Sequence, residues 1–354
     1  MHRAFRCNKG TSAANNMSRQ SSVFIIFTLI GGVSLGFGRA DGFSPYHNSC
    51  SLSQLARNRQ QSSTALSSSA GIGDDINALI SRLSSDAVTS AKEAQVYIIG
   101  TGVSNEVINL PLSTLAILSK AAVVLHDNLS LSEDEIRKVV PEGCIVQSVG
   151  KRGDDASSVP QSEIDRLIVE YASEPEKYPT ILRLKSGDPF LFGRSRTEID
   201  ALRENDISFR VIPNLSSSVA GPHYAGIPMT DPVLDSQSFA VFSGTNAKGI
   251  GIGGDGSTDW GDIGVDTLVF LMIGRLDKLG QLSQRLVDSN GDRWAVDTPC
   301  AIVQSAGRTE QKVWRATLAT IVESIQSDLG RDCKTVSPAI FVVGNVASLD
   351  LKGV

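Results

Sequence analysis

From residue 95 onward, short apolar runs rich in β-branched residues alternate with segments whose apolar positions recur at helical spacing. V-Y-I-I-G (96–100), A-A-V-V-L-H (121–126), C-I-V-Q-S-V (144–149), T-I-L-R-L-K (180–185) and I-S-F-R-V-I (207–212) each predict one strand. Between them, Ile164, Leu167, Ile168 and Tyr171 share one face of a helix over 161–173. Ser158 and Gln161 stand three apart, as in a capping box, with Pro160 in the first turn. Buried runs alternating with amphipathic helices predict a parallel sheet covered on both faces. A second set follows at 238–244, 267–272, 299–304 and 339–344, with helices near 276–288 and 317–328. The Pro-, Gly- and Ser-rich stretch 213–228 suits a connection leading into a short helix, and the Gly-rich stretch 244–265 suits a mobile surface loop. No internal repeat is present. The fold class is α/β, with an N-terminal half over 94–212 and a C-terminal half over 213–351 expected to meet at a ligand-binding cleft.

The pattern does not extend to the start of the chain. Arg3, Arg6, Lys9 and Arg19 precede an uncharged stretch, residues 20–38, that holds the apolar run V-F-I-I-F-T-L-I-G-G-V-S-L-G-F-G. A basic start, an apolar run and then small residues make the signal-peptide pattern, with a permanent membrane anchor as the alternative. A Ser-rich, nearly acid-free stretch follows to residue 68. Ala40-Asp41-Gly42 before Phe43-Ser44-Pro45 resembles the bipartite presequence that directs import into algal secondary plastids. Residues 1–68 are therefore expected to be a presequence and 69–93 a linker, with the mature chain in a plastid stroma and free of membrane.

The formal charge of −5 conceals an asymmetry, because residues 1–68 hold seven Lys/Arg and one acid. The remaining 26 basic residues face 37 acids, a balance of −11. Such a body lacks the basic stripes that nucleic-acid binding requires. An anionic ligand must meet a local cluster of cations. Cys7, Cys50, Cys144, Cys300 and Cys333 form no C-x-x-C pair, which argues for a reduced compartment without zinc. Two of the four histidines lie in the leader, so no His-based metal site is expected.

Two stretches carry candidate chemistry. G-T-G-V-S-N (100–105) follows a strand directly, and Gly100 and Gly102 would let backbone approach a ligand closely. A dinucleotide fingerprint needs a third glycine where Asn105 stands, and Asp127 only loosely matches the acid expected further on. NAD binding and a purely structural turn remain as alternatives. In L-R-L-K-S-G-D-P-F-L-F-G-R (182–194), a strand breaks at Ser-Gly-Asp-Pro between basic residues. Arg183, Lys185, Arg194 and Arg196 suit a polycarboxylate partner, and the bland alternative is a strand-to-helix turn flanked by solvated cations.

The second stretch belongs to an ordered series: V-G-K-R (149–152) with S-V-P-Q-S-E-I-D (158–165), R-L-K-S-G-D-P-F-L-F-G-R (183–194), P-H-Y-A-G-I-P-M-T (222–230) and S-P-A-I-F-V-V-G-N-V (337–346). Together they resemble the tetrapyrrole methylases, most closely the members acting on uroporphyrinogen III. The resemblance covers about residues 95–350. It implies a two-domain fold, a homodimer, S-adenosylmethionine in the interdomain cleft, and methylation of uroporphyrinogen III to precorrin-2 on the way to siroheme. It further implies cofactor binding at Gly100 and Gly102, at Ser186, Gly187 and Asp188, at Ser216 and Ser217, and at Met272 and Ala306. Substrate contacts fall on Lys151, Arg152 and Arg194, with Arg194 and Glu198 as catalytic residues and no metal. The chain departs from the family pattern at Val103-Ser104-Asn105, at Thr197 in place of the nearer acid after F-G-R, and at Asp231-Pro232 where a basic residue is usual. A member that binds S-adenosylmethionine or a tetrapyrrole without methylating, as a regulatory protein, is the alternative these departures raise.

Overall fold

The computed structural model describes residues 95–150, 159–246, 249–250, 260–289 and 292–352. The expected presequence and linker, Lys151, Arg152, Ser158 and most of the Gly-rich stretch lie outside the described residues.

All five strands expected in the first half form, as β1 (Val96–Gly100), β2 (Val123–His126), β3 (Ile145–Ser148), β4 (Ile181–Lys185) and β5 (Phe209–Ile212). They make one wholly parallel sheet in the order β3-β2-β4-β1-β5. Four helices cover it: α1 (Leu112–Leu118), α2 (Glu133–Arg137), α3 (Gln161–Ala172) and α4 (Ser195–Glu204). Alternation along the strands sends Val96, Ile98, Val123, Leu125 and Ile181 to one face, against Ile164 and Ile168 of α3 and Ile199 and Leu202 of α4. Tyr97, Ile99, Val124, Leu182 and Leu184 take the other face, against Leu115 and Leu118 of α1 and Ile136 of α2. Both faces are apolar because both are buried, which explains the near-continuous hydrophobic runs. Pro160 is the N-cap of α3, Gln161 donates to Asp165 Oδ1 at 2.7 Å, and the expected capping box falls on Ser158, outside the described residues.

After α5 (Ser217–Tyr224), the second half builds β6 (Phe239–Ser243), a two-residue ladder of β7 (Thr245–Asn246) and β8 (Gly249–Ile250), β9 (Thr267–Leu271), β10 (Pro299–Gln304), β11 (Lys312–Thr317) and β12 (Ala339–Val343). Helices α6 (Leu276–Val287) and α7 (Ile321–Leu329) complete it. The five-stranded sheet runs β11-β10-β12-β9-β6 and is mixed, with only the β6–β9 pair parallel. Strand β11 was not expected from the sequence. K-V-W-R-A-T is an edge strand that buries only Trp314 fully, so it carries no continuous apolar run. The Gly-rich stretch is likewise more than a loop, since Trp260 near its end is 2% exposed and packs edge-on against Phe270 in the core.

Cys144, Cys300 and Cys333 are free thiols, and burial pushes Cys144 up to about 11 and Cys300 up to about 12. Among the described residues, no helix is long and apolar enough to cross a membrane, and no cluster of His, Cys, Asp and Glu could hold a metal.

Candidate functional site

A parallel sheet gathers the C-terminal ends of its strands at one edge, where ligands of open α/β sheets sit. Here that edge carries the turn after β1, from Gly100 to Gly102, and the turn after β4, from Ser186 to Pro189. The two turns are joined as a miniature ladder. Gly102 N donates to Gly187 O at 3.1 Å and Gly187 N to Gly102 O at 2.7 Å. Both glycines have left-handed backbones, with φ of +70° at Gly102 and +69° at Gly187. Gly100 is required by space, because a Cβ there would lie 2.5 Å from Gly187 O and 2.9 Å from Pro189 Cδ.

Asp188 is the keystone of the second turn. Its Oδ1 accepts from the Phe190 and Leu191 amides at 2.8 and 3.1 Å, and its Oδ2 accepts from the Asn214 amide at 3.3 Å. Asn214, which the sequence reading passed over, returns the tie by donating from Nδ2 to Gly100 O at 3.0 Å. One asparagine therefore binds both glycine turns to the segment entering α5. The signal for it was its place in P-N-L-S just before a helix start.

Ser216 caps α5 by accepting from the Ser218 amide, so Ser217 is the first helical residue. A Cβ on Gly187 would lie 3.5 Å from the Ser217 nitrogen. The Gly187 backbone thus lies beside the amide end of a helix, a setting that suits a carboxylate. Farther along α5, Gly221 approaches Ala306, whose Cβ is 3.4 Å from where its own would be.

The second sheet presents its own edge. Strands β9 and β10 both run antiparallel to β12, and β6 runs parallel to β9, so Gly244, Met272 and Ser305 sit at one end. Met272 is 47% exposed with φ +58°, and Ser305 has φ +48°. Among the described residues, four of the six non-glycine residues with positive φ, namely Phe192, Arg194, Met272 and Ser305, lie in these turns. Such backbones cost of order 1–3 kcal/mol each and concentrate at functional sites. The halves touch through Gly307, where a Cβ would lie 2.9 Å from Val103 Cγ2, and through Arg308, which donates from Nη2 to Leu129 O at 2.7 Å. Gly100, Gly102 and Gly187 thus sit together beside Ser216 and Ser217, Ala306 lies beside Gly221 farther along α5, and Met272 stands on the second sheet's edge.

The expected basic cluster is corrected. Arg183 and Lys185 are 0% and 1% exposed and point into the packing between the sheet and α4. Lys185 Nζ donates to both oxygens of Glu198 at 2.8 and 2.9 Å, and Arg183 Nε donates to Glu198 Oε1 at 3.1 Å. Arg183 also pairs with Asp127, so the acid that a dinucleotide would need is already committed. Burial works against the Arg183 charge, but Asp127 and Glu198 more than offset it and its pKa is raised. Burial and the neighbouring Arg183 pull Lys185 down, against the attraction of Glu198. Glu198 is itself 0% exposed with its oxygens occupied, which leaves it no opening to act as a base. Arg196 pairs outward with Asp200.

Arg194 stands apart from this cluster. It is exposed, sits at the N-cap of α4 with φ +55°, and has no ion-pair partner among the described residues. Phe190, Leu191 and Phe192 beside it are 65%, 40% and 40% exposed. Thr197, one turn on, donates to Asp165 Oδ1 at 3.4 Å, so a half-buried carboxylate from α3 stands beside that turn. Asp231 offers no grip on an anion, because its Oδ1 accepts from the Val233 and Leu234 amides. His126 at the end of β2 is buried, its two ring nitrogens lack partners among the described residues, and burial lowers its pKa.

With this geometry in place, comparison with known proteins is specific. The family model for Tetrapyrrole (Corrin/Porphyrin) Methylases matches residues 95–322. The uroporphyrinogen-III C-methyltransferase of Synechococcus elongatus is 34% identical over 256 residues, covering 72% of this chain and 94% of its own. Siroheme synthase 2 of Aeromonas hydrophila is 34% identical over 266 residues, which cover 75% of this chain and 52% of that longer protein. The chain thus spans about half the length of that synthase. Among solved structures, the uroporphyrin-III C-methyl transferase of Thermus thermophilus complexed with S-adenyl homocysteine is 26% identical, covers 71% of this chain and 98% of its own, and superposes with a TM-score of 0.53. A cobalt precorrin-4 methyltransferase at 19% identity shares the fold, with a TM-score of 0.58. The chain belongs to the tetrapyrrole (corrin/porphyrin) methylases.

Proposed function

We propose that this protein transfers methyl groups from S-adenosylmethionine to ring carbons of uroporphyrinogen III, giving precorrin-2. The observation that carries the proposal is the pair of interlocked glycine turns after β1 and β4, set beside the first amide of α5, with Arg194 exposed on the same β4–α4 loop. The amide end of α5 beside these turns suits an amino-acid carboxylate. Gly100, Gly102, Ser186, Gly187, Ser216 and Ser217 would hold the cofactor, Asp188 would act by fixing the turn, and Met272 and Ala306 would line the second half.

Bound S-adenosylmethionine supplies a methyl group already activated by its sulfonium sulfur. The protein then has to align a ring carbon with that methyl and exclude water. Arg194 meets a substrate carboxylate, and the apolar Phe190, Leu191 and Phe192 cover ring surface beside it. Methyl transfer leaves the ring one proton in excess. Asp165, rather than Glu198, is the carboxylate placed beside the Arg194 turn without a cation partner among the described residues.

Anaerobic incubation of the purified chain with S-adenosylmethionine and uroporphyrinogen III should yield product heavier by one or two methyl groups, read by mass spectrometry. Cofactor binding without any mass gain would instead favour the regulatory reading, which the locked Asp231 and the Thr197 substitution support. Absence of cofactor binding would sink the methyl-transfer reading. Two further proposals rest on the family and the leader. A homodimer is tested by sedimentation, and plastid import by the location of a fluorescent protein fused to residues 1–68.

A further inference from the structure

Three charges, Arg183, Lys185 and Glu198, are buried where β4 meets α4, with Asp127 half-buried beside them after β2. Arg183 and Lys185 are balanced by Glu198 and Asp127, so the group is neutral overall. Burying two ion pairs costs desolvation that apolar residues would avoid, so stability alone is a weak reason for the arrangement. Its placement offers another reason. Lys185 is the last residue before the loop 186–194, and Glu198 lies one helical turn after that loop ends. The Lys185–Glu198 and Arg183–Glu198 contacts therefore clamp both ends of the segment that carries Asp188 and Arg194.

The loop closes tightly above this clamp. Ser195 Oγ donates to Pro189 O at 2.7 Å, and a Cβ on Gly193 would lie 2.2 Å from the same oxygen. Arg194 is thereby held in a left-handed backbone, which a non-glycine residue adopts only when its surroundings impose it. From the other side, Asp127 ties Arg183 to β2, whose following turn receives Arg308 from the second half at Leu129 O.

We infer that Glu198 is a positioning residue whose buried bonds to Lys185 and Arg183 hold the β4–α4 loop in the form that presents Arg194 to an anionic ligand. The clamp cancels the two neighbouring cations within the core, so Arg194 is the cation this loop offers to the cleft. Releasing the clamp frees the first turn of α4, and the Arg194 backbone relaxes out of its left-handed form.

The inference rests on the proposed tetrapyrrole binding, and a double-mutant cycle separates the two. The probe is uroporphyrin III, an unreactive oxidised tetrapyrrole, titrated by fluorescence against the full chain, with thermal melts confirming folding. Arg194→Ala in the native background should weaken binding about tenfold, the loss of one charge-assisted hydrogen bond. In the Glu198→Gln background the same Arg194→Ala change should cost less than about threefold, because the guanidinium is no longer presented. If Glu198→Gln does not fold, Lys185→Met with Glu198→Leu removes one cation and one anion together and leaves Arg183 paired with Asp127. A full tenfold Arg194 effect in either altered background overturns the positioning role while leaving tetrapyrrole binding intact. Tight probe binding indifferent to Arg194→Ala in the native background overturns the role assigned to Arg194, and the inference with it. No probe binding by the native chain overturns the tetrapyrrole reading itself.

Discussion

Glu198→Ala should destabilise the protein by about 3–5 kcal/mol, the range seen when one partner of a buried ion pair is removed. The effect is large because of what remains. Lys185 is 1% exposed and Arg183 is 0% exposed, so neither can turn to water to replace the lost carboxylate. Asp127 alone would then face two buried cations, while the Lys185 ammonium would have none of its present bonds to Glu198 at 2.8 and 2.9 Å. Net stabilities of domains are about 5–15 kcal/mol, so such a loss is a large share of the total. Urea unfolding followed by circular dichroism gives the shift in midpoint. Lys185→Met with Glu198→Leu should recover most of the loss, since it removes the charges as a pair. A Glu198→Ala shift below about 1 kcal/mol, as for exposed ion pairs, would show that water reaches this cluster and that it clamps nothing.

That cluster also marks where the sequence was least legible. Runs such as V-Y-I-I-G and A-I-F-V-V-G place strands correctly because burial on both faces leaves an unbroken apolar signature. Edge strand β11 leaves no such signature, and its partners are fixed by a hairpin from β10 rather than by its own composition. Arg183 and Lys185 alternate with Leu182 and Leu184, and in one dimension alternating basic residues imply a solvated face. Only the arrival of Glu198 from α4 and Asp127 from β2 turns that face inward. The ordered motifs carried the family because they record the turns, where Gly187 takes a left-handed backbone and Asp188 accepts from the nearby Phe190 and Leu191 amides. Asn214 escaped notice for the opposite reason, since its bonds reach Gly100 and Asp188, far away in the chain.

Gly100→Ala should abolish useful cofactor binding while leaving most of the fold in place. The added methyl would lie 2.5 Å from Gly187 O, 2.9 Å from Pro189 Cδ and 3.1 Å from Asn214 Cβ. None of these is the free end of a flexible side chain. The Gly187 oxygen is held by the Gly102 amide at 3.1 Å, and Asn214 is held to Gly100 and Asp188. The two turns must therefore separate, which breaks the Gly102–Gly187 ladder and shifts Gly187 relative to the first amide of α5. Overpacking of this kind costs about 1–3 kcal/mol in folding. If the binding groups move with the turn, affinity for S-adenosylmethionine should fall by at least about tenfold, each tenfold being about 1.4 kcal/mol. Calorimetric titration with S-adenosylhomocysteine measures this without turnover, and a thermal melt reports the folding cost separately. A Gly280→Ala variant is the control, because a Cβ there meets only Val322 Cγ2 at an ordinary 3.6 Å within helix α6. Unchanged affinity in Gly100→Ala would mean that the ligand does not rest on these turns, and the cofactor site would have to be sought elsewhere along the two sheet edges.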